Sequence, residues 1–256
     1  MKNMIISHKT ALNILRKFRI NYSLGNATKI NYLNEELHKI NSNEKIDVLV
    51  DSFNKRGSNQ KYRYHIAPNG FTMKSTFKIS KNLYCVCPEL LVIQLSTRLN
   101  FYNLYLLISE LCGTYSINPE SLEFFTNINK STSISKINKY KDELLSNCKI
   151  IRGSRILNEV LKVARDNSAS PMESRLMLKL SGPRKFGFYG IQNLEFNKPV
   201  TLSKSASLIA GQSKVIPDIS NTEYKVAVEY DSAQFHENSE QGQRDKRRRD
   251  ALVHDG

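Results

Sequence analysis

A series of short strand-like runs gives way to helical spacing at Pro88, and this switch constrains the chain most, because sheet and helix must share one fold. Residues 46–50 (IDVLV) and 62–67 (YRYHIA), then FKI and LYCVC up to Cys87, are rich in β-branched and aromatic side chains. Breakers at 55–59 and 68–70 separate them. From Pro88 to about Arg165 the pattern is helical, with Asn118-Pro119 and Ser154 as expected starts. Ahead of the strands, 8–19 (HKTALNILRKFR) spaces Ala11, Leu12, Leu15 and Phe18 along one helical face, with Ser7 as its expected cap. The expected fold class is α/β, of the α+β kind.

The stretch 166–170 (DNSAS) reads as a linker or cap region, and it divides an N-terminal region, 1–165, from a second domain, 166–256. The second part holds a short helix (SPMESRLMLKL), a Gly-rich turn (SGPRKFGFYG), strand-like runs at 213–219 and 225–231, and a charged helix over about 238–254. Apolar residues make up 40% of the 256, enough for a real core. No run approaches the roughly 18 apolar residues of a membrane span. Lys9, Arg16, Lys17 and Arg19 interrupt any signal-peptide core at the N-terminus. The expectation is a soluble cytoplasmic protein with no membrane partner. Cys85, Cys87, Cys112 and Cys148 lack zinc-site spacing and are expected to be buried thiols.

The net charge of +14 is unevenly spread. Residues 1–100 carry 16 basic and 6 acidic side chains, whereas 166–256 carry 13 and 12. A basic N-terminal half is suited to a polyanion such as DNA. Compositional drift in a chain rich in Lys, Asn and Ile gives the same excess without any binding role.

In the last third, four features fall in a fixed order: Glu173 on a helix, Pro217-Asp218 ending a strand, Glu229-Tyr230-Asp231 ending the next, and His236 just beyond. Each has a plain reading. Ser170-Pro171-Met172-Glu173 fits a capping box, Asp218 a turn, and His236 a surface histidine. Together they read differently. Glu229 and Asp231 share one face of a strand, and a turn of about five residues brings Asp218 to them. Carboxylates gathered in this way repel one another unless a hard cation lies among them, and Mg2+ or Mn2+ suits oxygen ligands. Phosphodiester hydrolysis is the chemistry such a site performs.

The pattern PD-x10-E-x-D-x4-H, followed by RDKRRRDAL, resembles the stand-alone endonuclease-like domains related to very-short-patch repair endonucleases, within the PD-(D/E)XK, or restriction-endonuclease-like, superfamily. The SPMES helix is similar to the Glu-bearing first helix of that group. The N-terminal region, through ELCGTY at 110–115, resembles abortive-infection antitoxins. The resemblance implies metal ligation by Glu173, Asp218 and Glu229. It places Asp231 and His236 beside the attacking water or the scissile phosphate, with Asp245 and Arg248 matching a supporting D-x-x-R pattern. Lys246 and Arg247 read as a solvated face. Asp231 stands where the motif has lysine, and Ser232 where the family has glycine. The family continues past position 256 into a further strand and helix, so the expectation is a shortened domain of poor activity, its last helix loosely docked through Ala251, Leu252 and Val253.

The expected function is thus a Mg2+-dependent DNA endonuclease of repair or defence. The rival expectation is a non-catalytic, antitoxin-like DNA-binding regulator with a vestigial nuclease scaffold, and the plainest is an interaction module whose basic charge reflects composition alone.

Overall fold

A computed structural model describes residues 3–23, 45–121, 124–147, 151–230 and 239–255. It is a mixed α/β structure of eight helices and twelve strands among the described residues. The chain divides into two compact units, Met1–Ala164 and Arg165–Gly256.

The first unit is built on a five-stranded mixed sheet. Its strands are β1 (Met4–Ile6), β2 (Ile46–Val50), β3 (Tyr62–Ile66), β4 (Thr76–Ser80) and β5 (Leu83–Val86), in the order β3-β2-β1-β5-β4. β2 pairs parallel to β3 and antiparallel to β1, while β1 runs parallel to β5. Helix α1 (His8–Ser23) follows β1 directly and buries Ala11, Ile14 and Leu15. The Ser7 hydroxyl does not cap a first-turn N–H as expected; it pairs with His8 Nδ1 at 3.1 Å, and the Ser7 carbonyl accepts the Ala11 N–H.

Helix α2 (Pro88–Ser96) is buried on nearly every side from Leu90 to Ser96, which makes it the centre of this unit. α3 (Phe101–Cys112) is capped by the Asn100 side chain, which accepts the Asn103 N–H, and it inserts Leu104, Tyr105, Ile108 and Leu111. Arg16 of α1 grips the buried Glu110 of α3 at 2.9 and 2.6 Å. The expected helix start at Asn118-Pro119 is a loop. It joins β6 (Tyr115–Ile117) to β7 (Phe125–Asn127), because Asn118 turns the chain by accepting the Glu120 N–H on its own side chain. Helices α4 (Ile134–Asn147) and α5 (Ser154–Val163) complete the unit. Cys85 and Cys112 are buried and Cys87 is half-buried; Cys148 lies outside the described residues.

The second unit opens with α6 (Pro171–Ser181), where the Ser170 hydroxyl accepts the Glu173 N–H and Pro171 occupies the first turn. Then come β8 (Glu195–Phe196), β9 (Val200–Thr201), α7 (Lys204–Ala210), β10 (Lys214–Val215), β11 (Ile219–Asn221), β12 (Val226–Val228) and α8 (Ser239–Asp255). The run expected as one strand over 213–219 is broken at 216–218. Val215 ends in a two-stranded sheet with β9, and Ile219 begins a three-stranded sheet ordered β12-β11-β8. Pro217 lacks the N–H a continuous strand needs. A small core of Leu202, Ala206, Val215 and Ala251 holds α8 against α7, with Ile209, Ala210 and Leu252 packed at its margin. Val253, expected as a third anchor, is 77% exposed. No helix among the described residues is long and apolar enough to cross a membrane.

Candidate functional site

Register builds the site. β11 and β12 pair antiparallel, with Ile219 opposite Val228, so Asp218 and Glu229 occupy the next opposed position and share one face. Asp218 therefore precedes its strand rather than ending one. The turn between the strands is set by the Asn221 side chain, which accepts the Tyr224 N–H, and by Lys225 at φ +51°. The Glu229 carboxylate accepts the Asp218 N–H at 3.4 Å, and the Asp218 carboxylate accepts the Tyr230 N–H at 2.7 Å.

Glu173 reaches the same neighbourhood from the first turn of α6. It is 7% exposed, and its Oε2 accepts from the Ala169 N–H and from Asn197 Nδ2, both at 2.9 Å. Glu173 thus fills the acidic position of a capping box but reaches back to Ala169, one residue before the cap. Asn197 also donates through Nδ2 to the Asn167 carbonyl, and its backbone N–H bonds the Asp218 carbonyl at 3.0 Å. It therefore ties Glu173 to Asp218. Nothing in the sequence singled out Asn197; its φ of +48°, a conformation that favours asparagine among residues with a side chain, is the nearest thing to a signal.

Burial raises the Glu173 carboxyl above its ordinary 4.5, and the Asp218 charge adds to the rise against the opposing Ala169 and Asn197 hydrogen bonds. Burial likewise raises Glu229, again aided by Asp218, while Arg248 opposes it. Arg248 lies on α8 with its guanidinium 3.7 Å from Glu229 Oε1, 3.2 Å from Asp245 Oδ1 and 3.0 Å from the Ile216 carbonyl. Lys246 and Arg247 are exposed. Asp231 and His236 lie outside the described residues.

Glu173, Asp218 and Glu229 carry only oxygen donors, the type Mg2+ takes, and the Asp218 charge adds to the burial that raises the two glutamates. The fit is one of chemistry rather than of a finished cage. Among the described residues no three His, Cys, Asp or Glu side chains stand close enough to hold an ion. Comparisons with protein-family models, with curated proteins and with solved structures return no match to this chain.

Proposed function

We propose that the unit Arg165–Gly256 is a restriction-endonuclease-like domain that hydrolyses DNA phosphodiester bonds with Mg2+ or Mn2+, in repair or defence. The observation that carries the reading is the opposed pair Asp218 and Glu229 on adjacent antiparallel strands, with Glu173 coupled electrostatically to Asp218. The antiparallel sheet of β8, β11 and β12, between a Glu-bearing helix and a closing helix and with β9, α7 and β10 inserted after β8, supports it. Glu173, Asp218 and Glu229 are the residues that would hold the metal, which supplies Lewis-acid polarisation of the phosphate and an activated water. Arg248 stands beside Glu229 and balances its charge, and Asn197 fixes the carboxylate of Glu173. The basic excess of residues 1–100, which includes the exposed Lys74, Lys78 and Lys81, supplies non-specific attraction to the DNA backbone.

The test is plasmid nicking by the full chain with Mg2+ or Mn2+. Cleavage abolished by Asp218→Ala supports the reading. Salt-sensitive DNA binding with no cleavage in either metal favours the second reading, a non-catalytic, antitoxin-like regulator. That reading draws on the engagement of the Asp218 carboxylate by the Tyr230 N–H, which leaves it less available to an ion.

A further inference from the structure

The first unit gathers a second set of titratable side chains. On the parallel pair β2 and β3, Asp47 lies opposite Arg63 and Leu49 opposite His65, so Asp47, Arg63 and His65 share one face. His65 Nε2 meets Asp47 Oδ1 at 2.7 Å, and an Arg63 nitrogen lies 3.5 Å from the same oxygen. The other Asp47 oxygen accepts from the N–H and the hydroxyl of Thr10, both at 3.4 Å, and Asp47 is 2% exposed. His8, at the first position of α1, stacks on His65 with ring centroids 3.6 Å apart.

The hydrogen bonds of the two rings run through His8 Nδ1 and His65 Nε2, and one buried donor beside them is left without a partner inside the fold. The Gln94 amide, whose Oε1 accepts the His8 N–H, is 7% exposed and has no acceptor for its Nε2. His8 also holds φ +49°, a left-handed conformation that a non-glycine residue keeps only where its surroundings enforce it, and such strain concentrates at functional sites. Arg63 is half exposed, Arg98 is exposed, and both act electrostatically on His8. The stacked rings lie nearly parallel, so their nitrogens do not converge on one ion.

We propose that His8, His65, Gln94, Arg63 and Arg98 form a binding site for a phosphate oxyanion at the start of α1. Asp47 is the positioning residue that fixes the His65 ring and its tautomer. The two guanidiniums supply charge at the mouth, and the unmet Gln94 donor and the His8 Nε2–H, in the tautomer whose Nδ1 accepts from the Ser7 hydroxyl, supply hydrogen bonds within, with His65 as the ring that His8 stacks on. His8 is held near a pKa of about 3, chiefly by burial and then by His65, Arg98 and Arg63 against the pull of Asp47, so its ring stays neutral and imposes no charge of its own.

The phosphate can come from a small anion or from a nucleic-acid backbone, and the test separates the two. Histidine ring resonances of the full chain are followed by NMR while inorganic phosphate is added in one arm and a short single-stranded oligonucleotide in the other. The His8 and His65 signals should move saturably in at least one arm, and that arm names the source. Arg98→Ala, a surface change that spares the fold, should weaken the binding by about tenfold or more, as loss of a charged hydrogen-bond partner does. Arg63→Gln should weaken it as well. Arg175→Ala, an exposed control, and Asp218→Ala should leave it unchanged, so this site stands or falls apart from the nuclease reading. Signals inert to both probes, or titrations identical in Arg98→Ala, would overturn it.

Discussion

Asp218 and Glu229 clasp one another through the backbone. The Glu229 carboxylate accepts the Asp218 N–H, and the Asp218 carboxylate accepts the N–H of Tyr230, the residue after Glu229. Two carboxylates are thereby kept adjacent at the end of a two-stranded pairing, and the Glu229 pKa is raised by burial first and by the Asp218 charge second.

The two units should respond to acid in opposite directions. Glu173 and Glu229 bind protons more tightly folded than unfolded, so their stabilising contribution is complete below the ordinary 4.5 and is lost as pH rises through their raised folded values. His8 is depressed to about 3, so its contribution is complete above 6.5 and is lost as pH falls toward 3. Hydrogen exchange resolved by unit between pH 4 and 8 should show the second unit tightening and the first loosening on acidification. Glu173→Gln should flatten the first trend and His8→Asn the second. Parallel slopes in both units would contradict this.

Asn197→Ala should destabilise the second unit by about 1–3 kcal/mol, the cost of leaving buried polar groups short of partners, and should raise the Glu173 pKa further. Asn197→Gly keeps the left-handed backbone at no steric cost, so it should lose less stability than alanine yet move the Glu173 pKa equally. Carboxyl-carbon NMR titration and chemical denaturation together check both.

Removing Arg16 strands Glu110, whose side chain is 1% exposed. Arg16→Met should therefore cost about 3–5 kcal/mol. Adding Glu110→Gln should recover much of it, because the amide oxygen still accepts the Ile117 N–H that Glu110 holds at 3.1 Å. Denaturant melts of the wild type and of the single and double variants decide this; Arg16→Met as stable as wild type would mean that the ion pair contributes nothing.

Ala251 has no exposed surface and Val253 is 77% exposed, although the two lie within one turn of α8. Ala251→Leu should cost about 1–3 kcal/mol through overpacking, whereas Val253→Lys should stay within about 0.5 kcal/mol. Limited proteolysis of α8 gives an independent readout, with faster cleavage expected only for Ala251→Leu.

What the sequence made legible follows from how local each signal is. The apolar run at 46–50 and the Ser170-Pro171 cap are complete within a few residues, and the structure has β2 and α6 there. Asp218 and Glu229 could be brought together on paper because one short turn separates their strands. Strands of two residues, such as β8 and β9, have no period to detect, and they are stabilised by partners far along the chain. The hairpin at 115–127 was hidden because Asn-Pro opens turns and helices alike. Asn197 meets Glu173 across 24 positions, and His65 meets Asp47 across 18. No window contains either pair, so composition and spacing are silent on both.

Residues 216–218 are the joint where the chain leaves one small sheet and enters another, and α8 touches that joint directly through Arg248 on the Ile216 carbonyl. Val215, packed against Ala251, lies only three residues before Asp218. A shift of the last helix along its own axis would therefore pull on the carboxylate pair as a tendon pulls on a finger bone. Substitutions on the buried side of α8, remote from any charge, should retune the spacing of Asp218 and Glu229 without altering either residue.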